Sequence, residues 1–444
     1  MRPSRRAGAL AVALLLAAGG AVAEVKALVG GTLLDGSGGA PLADSVVVID
    51  GERIVAVGQV GRLEVPAGAT VISTEGMTVM PGLIDLEVRL AELGHGDRAR
   101  WNETYVPLAE RVVMPAAVQA LLLAGVTTAR DIGSPLEAAI SVRERIRALR
   151  IAGPSLLVSG PVLEHEVPAA EHARRWPVAG AADARQKAER LAHAGVDLLV
   201  VAGAAELSDA ELAAIDDVAR TTGVRWHAEI RGDADVARAL SAGAEGLIGL
   251  GSGFASDWPP AALVELRARA ARAQPVAWAV GASALINYEW LRQNAEPLDD
   301  PRWREGLPAV VADDVRGSLG NLAALSVYET PALRRAVLGA RLRSARAAGA
   351  HLLVGSDAGA PAHLPARATW QEVEALVLEA GLTTAEAVRA ATLDAATVLG
   401  LETDLGSVTP GKYADLIAVR GDLLRHIDRL QDVDIVIRHG LRYR

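Results

Sequence analysis

The sequence contains no cysteine, a single phenylalanine and only three lysines, Lys26, Lys187 and Lys412. Without thiols there is no disulfide, no thiolate nucleophile and no zinc–thiolate or iron–sulfur centre, so only histidines and carboxylates are left to hold a metal. Any mechanism that needs a lysine must choose among three. No Lys/Arg run lies inside the chain, and 45 basic residues face 54 acidic ones for a net charge of −9, which argues against a nucleic-acid backbone as partner. What is present is the composition of a folded protein, 51% apolar and 22% charged. At 444 residues the chain exceeds one ordinary domain, so a large barrel or sheet enzyme with an appended unit is the starting expectation.

The first residues read as a secretory signal peptide over 1–23. Arg2, Arg5 and Arg6 precede an apolar run from Ala7 to Ala18, and Ala21-Val22-Ala23 is an A-x-A cleavage signal. The run falls short of the ~20 residues a bilayer span needs. Cleavage after Ala23 removes three arginines and takes the net charge from −9 to −12. The mature chain is expected to be periplasmic or secreted, with no membrane association.

Hydrophobic patterning divides the remainder into three. Segment 24–80 is β: Leu28 to Leu34 and Ser45 to Ile49 are strand-like, and Asp50-Gly51 predicts a two-residue hairpin turn. Segment 405–444 is β again, with strands at Asp415 to Val419 and Val433 to Arg438 and a turn at His439-Gly440. Between them, in 81–404, eight apolar strands alternate with amphipathic helices: Leu83 to Val88, Val126 to Asp131, Ser155 to Ser159, Asp197 to Val201, Arg225 to Glu229, Gly246 to Leu250, Pro275 to Val280 and His351 to Gly355. The helices include one opened by Ser208 and Glu211 as a capping box. Eight βα units imply a (β/α)8 TIM barrel, with both termini building one small composite β-sandwich, an α/β protein overall. Ile286 to Thr330, which carries Tyr288, Trp290, Trp303 and Tyr328, is longer than an ordinary loop and reads either as a lid over the active face or as an extra helical layer.

Five segments together resemble the amidohydrolase superfamily, in particular its imidazolonepropionase- and prolidase-like members. They are Val79-Met80-Pro81-Gly82-Leu83-Ile84-Asp85, Gly125 to Gly133, Gly355-Ser356-Asp357-Ala358-Gly359, Ala390-Ala391-Thr392 and Gly406 to Leu416. The resemblance spans the mature chain in order. It implies a barrel with a β-sandwich and a binuclear metal site that activates water against C–N bonds. It also implies six ligand positions, and those can be read off one by one. The two histidines expected at the end of the first strand are Glu87 and Arg89, and a guanidinium cannot ligate a metal. Val200 stands where a bridging lysine is expected, and Gly249 where a sixth-strand histidine is. His227 and Asp357 match the fifth- and eighth-strand positions.

Two readings follow. In the first, the chain is an exported amidohydrolase-fold protein with a degraded metal site and no resident cofactor. It then binds a small ligand or partner in the old cavity, with Arg89 in place of the metal charge and paired to Asp357 or Glu87. In the second it is an active hydrolase of C–N bonds, on a cyclic amide or dipeptide, with Asp357 as the catalytic acid/base. That hydrolase uses either no metal or one divalent ion such as Zn²⁺ on Glu87, His227 and Asp357. His95, His165, His172 and His363 fall in loops and are expected to be solvated. Tyr288, Trp290, Trp303 and Arg130 either line a pocket or pack. A homo-oligomer is compatible with all of this.

Overall fold

The computed structural model describes residues 24–294, 300–325 and 330–444; the expected signal segment 1–23 and Tyr328 lie outside them. The chain opens with five strands: β1 Val25–Leu33, β2 Leu42–Asp50, β3 Arg53–Gln59, β4 Thr70–Ser73 and β5 Met77–Pro81. β1 to β3 form an antiparallel meander. The turn is shifted by one residue from the sequence expectation: Asp50 pairs with Arg53, leaving Gly51-Glu52 as the two-residue loop. Gly51 takes the positive φ of 58° that such a turn needs at its first central position.

The barrel follows directly. Its eight strands are β6 Leu83–Val88, β7 Val126–Asp131, β8 Ser155–Val158, β11 Leu199–Ala202, β12 Trp226–Glu229, β13 Gly246–Ile248, β14 Ala277–Ala279 and β15 His351–Leu353, each within an expected segment except β11, which runs one residue past it. Two short strands, β9 Val162–Glu164 and β10 Arg175–Pro177, come between β8 and β11 and extend the sheet beside β11; three residues each is too short for periodicity to register. Parallel pairing runs β6–β7–β8 and β11–β12–β13–β14–β15. The ring closes where Leu86 N donates to Val354 O and Asp357 N to Glu87 O, both at 2.8–2.9 Å, and where Asp197 N donates to Val158 O at 2.8 Å. Gly82 sets the start of β6: a Cβ there would overlap the Thr127 side chain, so only glycine lets β6 and β7 approach this closely.

The last strands, β16 Leu416–Arg420, β17 Val433–Arg438 and β18 Leu441–Arg442, return to the N-terminal sheet. β16 pairs antiparallel with β5, Leu416 opposite Pro81, so both ends of the chain build one bent eight-stranded sheet. Leu28, Val47, Ile49, Val79, Leu416 and Ile437 enclose its own core.

Alternation along the barrel strands decides what faces inward. On β11, Leu199 and Val201 join the core under the helices, while Leu198, Val200 and Ala202 form an inner apolar cluster with Ile132, Val162 and Ile248. The position at which the resemblance implies a bridging lysine is therefore filled by hydrocarbon. Ser208 caps the helix Asp209–Thr222 through the expected capping box with Glu211.

The long connection is an added helical layer. The helix Ala309–Ser318 is tied to the loop after β6, where Tyr105 donates to Asp314 at 2.9 Å and Gly96 N to Ser318 Oγ at 2.9 Å. Tyr288 donates to Leu322 O at 2.9 Å and Trp303 is buried, whereas Trp290 faces an outer groove. The run Val106–Leu123 has 18 residues and a mean hydropathy of 1.5, a length the sequence reading overlooked. Its Val113, Met114, Leu121 and Leu122 are fully buried in the core, which accounts for its apolar character.

Candidate active site

Asp85, Glu87 and Arg89 project to one side of β6 and its continuation, as alternation dictates. Asp85 is consumed structurally: its carboxylate accepts from Ser356 N (3.0 Å), Glu87 N (3.1 Å) and Thr369 Oγ1 (2.7 Å), locking β6 to the loop after β15. That loop carries Asp357, whose φ of 57° is unusual for a residue with a Cβ and aims its carboxylate at Arg89.

Arg89 is the hub. Its Nε donates to Asp357 Oδ1, and its Nη2 lies 3.2 Å from Glu87 Oε1 and 3.5 Å from Glu229 Oε2. The side chain is only 6% exposed, so this is a guanidinium desolvated among three carboxylates. Glu229 is held from its other side by Arg175 at 2.9 and 3.1 Å; Arg175 also binds Glu164 at 2.8 Å, and Glu164 reaches Arg231 at 2.7 Å. The result is a continuous chain of alternating charge across the C-terminal mouth of the barrel.

The environments split the three carboxyls. Burial, reinforced by Asp357, pushes Glu87 well above the usual carboxylate range, and its Oε2 has no hydrogen-bond partner. Burial opposes the charge on Glu229 too, but Arg175, Arg89 and Arg231 hold it well below that range. Asp357 is raised by burial against the pull of Arg89. Arg89 itself is held firmly charged: burial works against it, and Asp357, Glu229 and Glu87 outweigh the burial. The surroundings thus favour the neutral form of Glu87 and the ionised form of Glu229.

Glu87 and Asp357 are brought together as expected, but around Arg89 rather than around an open coordination site. His227 does not join them. It lies on β12 with its ring against Gly246, and burial together with Arg130 and Arg225 drives its pKa well below the ordinary value. Its Nδ1 has no partner. Among the described residues no three histidines or carboxylates are grouped so as to hold an ion. The candidate set Glu87, His227 and Asp357 is thus not gathered around one point: the Arg89 guanidinium lies between the two carboxylates and His227 stands apart. The residues present do not fit a divalent metal.

Four other expectations resolve in the same way. Val200 is fully buried opposite His227 in the β11–β12 register, and Gly249 takes a φ of 73° at the cavity wall. Arg130 is buried and donates to Leu86 O at 2.8 Å, so it packs. His165 and His172 are exposed as expected, but His95 and His363 are buried. His363 shares a 3.1 Å hydrogen bond with Ser283 Oγ, and burial pulls its pKa down to about 3.

Glu229, Arg175, Glu164 and Arg231 were not singled out from the sequence. Glu229 carried a usable signal, since it lies two residues from His227 on the same strand face. Arg175 and Glu164 carried none, being in the short strands of a loop.

The chain matches the amidohydrolase family over residues 78–251 and 329–442. Among solved structures it is similar to a protein assigned as a prolidase from Bifidobacterium longum, with 25% identity, 95% of each chain covered and a TM-score of 0.71. It is similar also to a Xaa-Pro dipeptidase with methionine bound in the active site, at 22% identity with 95% of this chain and 100% of that one covered and a TM-score of 0.70. A molinate hydrolase aligns at 20% identity over 95% of this chain and 94% of its own, with a TM-score of 0.71. No curated protein matches. The family match covers well over half of the sequence and the similar folds cover nearly all of it, and so this chain belongs to the amidohydrolase family.

Proposed function

We propose that this protein is an exported member of the family in which the Arg89 guanidinium takes over the charge that two metal ions would supply, and that its barrel mouth binds a small molecule without metal-activated hydrolysis. The observation that carries this reading is the contact set of one buried arginine with Asp357, Glu87 and Glu229. A metal activates water by lowering its pKa and by offering an open position. A guanidinium supplies positive charge but no coordination site, and here its Nε and Nη2 already face carboxylates. Incubation of the purified mature chain with a panel of amides, cyclic imides and dipeptides, with and without Zn²⁺ or Mn²⁺, is expected to give no turnover. Turnover abolished by Asp357→Asn would overturn the reading.

One observation favours a second reading, a metal-independent hydrolase of C–N bonds. Glu87, whose neutral form is favoured and whose Oε2 is unpartnered, and Glu229, whose ionised form is favoured, line the same cavity, and two carboxyls with opposed proton affinities suit general acid–base work. The same panel decides: metal-independent turnover lost in both Asp357→Asn and Glu87→Ala belongs to this alternative. Export rests on the 1–23 segment, and a mature N-terminus at Glu24 in secreted or periplasmic material is its test.

A further inference from the structure

A cavity of about 210 Å³ opens at the C-terminal mouth of the barrel, directly above the Arg89 cluster. In a chain with a net charge of −9, its wall holds six arginines (Arg89, Arg98, Arg175, Arg231, Arg334 and Arg341) against the three carboxyls already described. Three of the six are committed: Arg89 to the cluster, Arg175 to Glu229 and Glu164, and Arg341 to Asp233 at 2.6 Å with its face on Trp258.

Of the remaining three, Arg98 and Arg231 are partly exposed. Among the described residues Arg98 makes one ion pair, to Glu92 at 3.9 Å, while Glu92 gives its other oxygen to Arg174; Arg98 Nε is buried and makes no hydrogen bond. Arg231 meets Glu164 at 2.7 Å and, more loosely, Glu229 at 3.5 Å, and remains 42% exposed. Arg334 donates from Nη2 to Gly251 O at 2.9 Å. Gly251 belongs to the glycine-rich turn Gly249-Leu250-Gly251-Ser252-Gly253, which forms one wall; a Cβ at Gly251 would press on the Arg231 carbonyl at 2.9 Å. The turn therefore brings backbone close to the cavity without side chains in the way. At the floor, Glu87 Oε2 is buried, unpartnered and 3.5 Å from where a Cβ of Gly281 would stand.

We propose that this cavity is the binding site of a small organic oxyanion, a carboxylate or a phosphate ester. Its charged group is held by Arg98 and Arg231, with Arg334 beside them, and its polar body rests over Glu87 Oε2. Guanidinium forks match both oxyanions in two-point geometry and gain strength in a partly desolvated cavity. A neutral amide of the same size can accept from Arg98 Nε but brings no charge to the guanidinium, and so gains less there. This inference rests on the reading of Arg89 as the fixed cation, since a site with two metal ions would bind anions through the metals instead.

The test is isothermal titration of the chelator-treated mature chain with inorganic phosphate, glycerol phosphate, succinate and, as the neutral control, succinamide. Saturable binding of at least one oxyanion and none of succinamide is expected, weakened at least tenfold in Arg98→Gln and in Arg231→Gln and less in Arg231→Lys. Both positions are partly exposed, so the variants should fold, and their circular dichroism and melting temperature check this. The phosphate and succinate arms tell the two oxyanions apart. Failure of every oxyanion to bind folded, metal-free protein, or binding unchanged in both glutamine variants, overturns the inference while leaving the Arg89 reading intact. Binding that appears only after Zn²⁺ is supplied overturns both.

Discussion

Replacing Arg89 by methionine removes the one cation that, among the described residues, lies within ion-pair distance of Asp357. Glu229 keeps Arg175 at 2.9 Å, and burial already favours the neutral form of Glu87, so the cost falls mainly on Asp357. Removing one partner of a buried ion pair costs about 3–5 kcal/mol, because the remaining charge is left uncompensated. With an unfolding entropy of roughly 2.1 cal/mol/K per residue, a loss of about 4 kcal/mol lowers Tm by only ~4–5 °C in a chain of this length, so urea titration is the sharper assay. The deficit should depend on pH. Without Arg89 the buried Asp357 is raised further above its unfolded value, and a raised carboxyl gives stability that is present below the unfolded pKa and lost as pH rises through the folded one. Arg89→Met is therefore expected to be more destabilised at pH 8 than at pH 5. Asp357→Asn in the same chain should restore about 2 kcal/mol or more in a double-mutant cycle. An Arg89→Met variant as stable as the parent within about 0.5 kcal/mol at both pH values would refute the argument, since Arg89 could not then be neutralising a buried charge.

Three further outcomes follow from other parts of the molecule. Burial raises Asp415 to about 6, and its Oδ2 is unpartnered, so its favourable contribution is complete below about 3.8 and is lost as pH rises through 6; Asp415→Asn should flatten that part of the pH–stability profile. Ser208→Ala removes a side chain that accepts from Glu211 N and orders the Glu211 carboxylate, which also accepts from Gly180 N at 2.7 Å, so a loss of about 1–2 kcal/mol in urea titration is expected. Gly359 has a φ of 105°, and a Cβ there would overlap the Arg89 carbonyl; Gly359→Ala should lower stability by about 2 kcal/mol or more and weaken oxyanion binding with it, both measurable on one preparation.

The barrel was legible because its eight strands are apolar runs with helices of matching period between them, and because Pro81-Gly82 pins the register of β6. The composite sheet was legible from strands at both termini, although which strands pair across the chain could be known only from the β5–β16 register. At the site, alternation alone placed Glu87 and Arg89 on one face, and the substitution of an arginine for an imidazole already implied a charge partner. What the sequence could not show was the rest of the network. Arg175 and Glu164 reach Glu229 from two three-residue strands that local patterning does not register, and Arg98 and Arg334 come from helices far apart in the chain. The place of His227 was hidden for a related reason: strand position puts it inside the barrel, but depth along the strand, which separates it from the mouth where Glu229 lies, is a tertiary property. His95 and His363 were expected in solvent because their segments look like loops; each is instead sealed by a neighbouring segment, Asp314 facing one and Ser283 the other.

The most direct test of the account is the metal content of the mature chain, Glu24 to Arg444, produced with Zn²⁺, Mn²⁺ and Fe²⁺ supplied and measured by elemental analysis beside an Asp357→Ala, His227→Ala variant. If Arg89 stands in for the metal charge, both proteins carry well under one equivalent of any ion, and chelation leaves the melting temperature of the parent unchanged. Near-stoichiometric metal in the parent that disappears in the variant would contradict it.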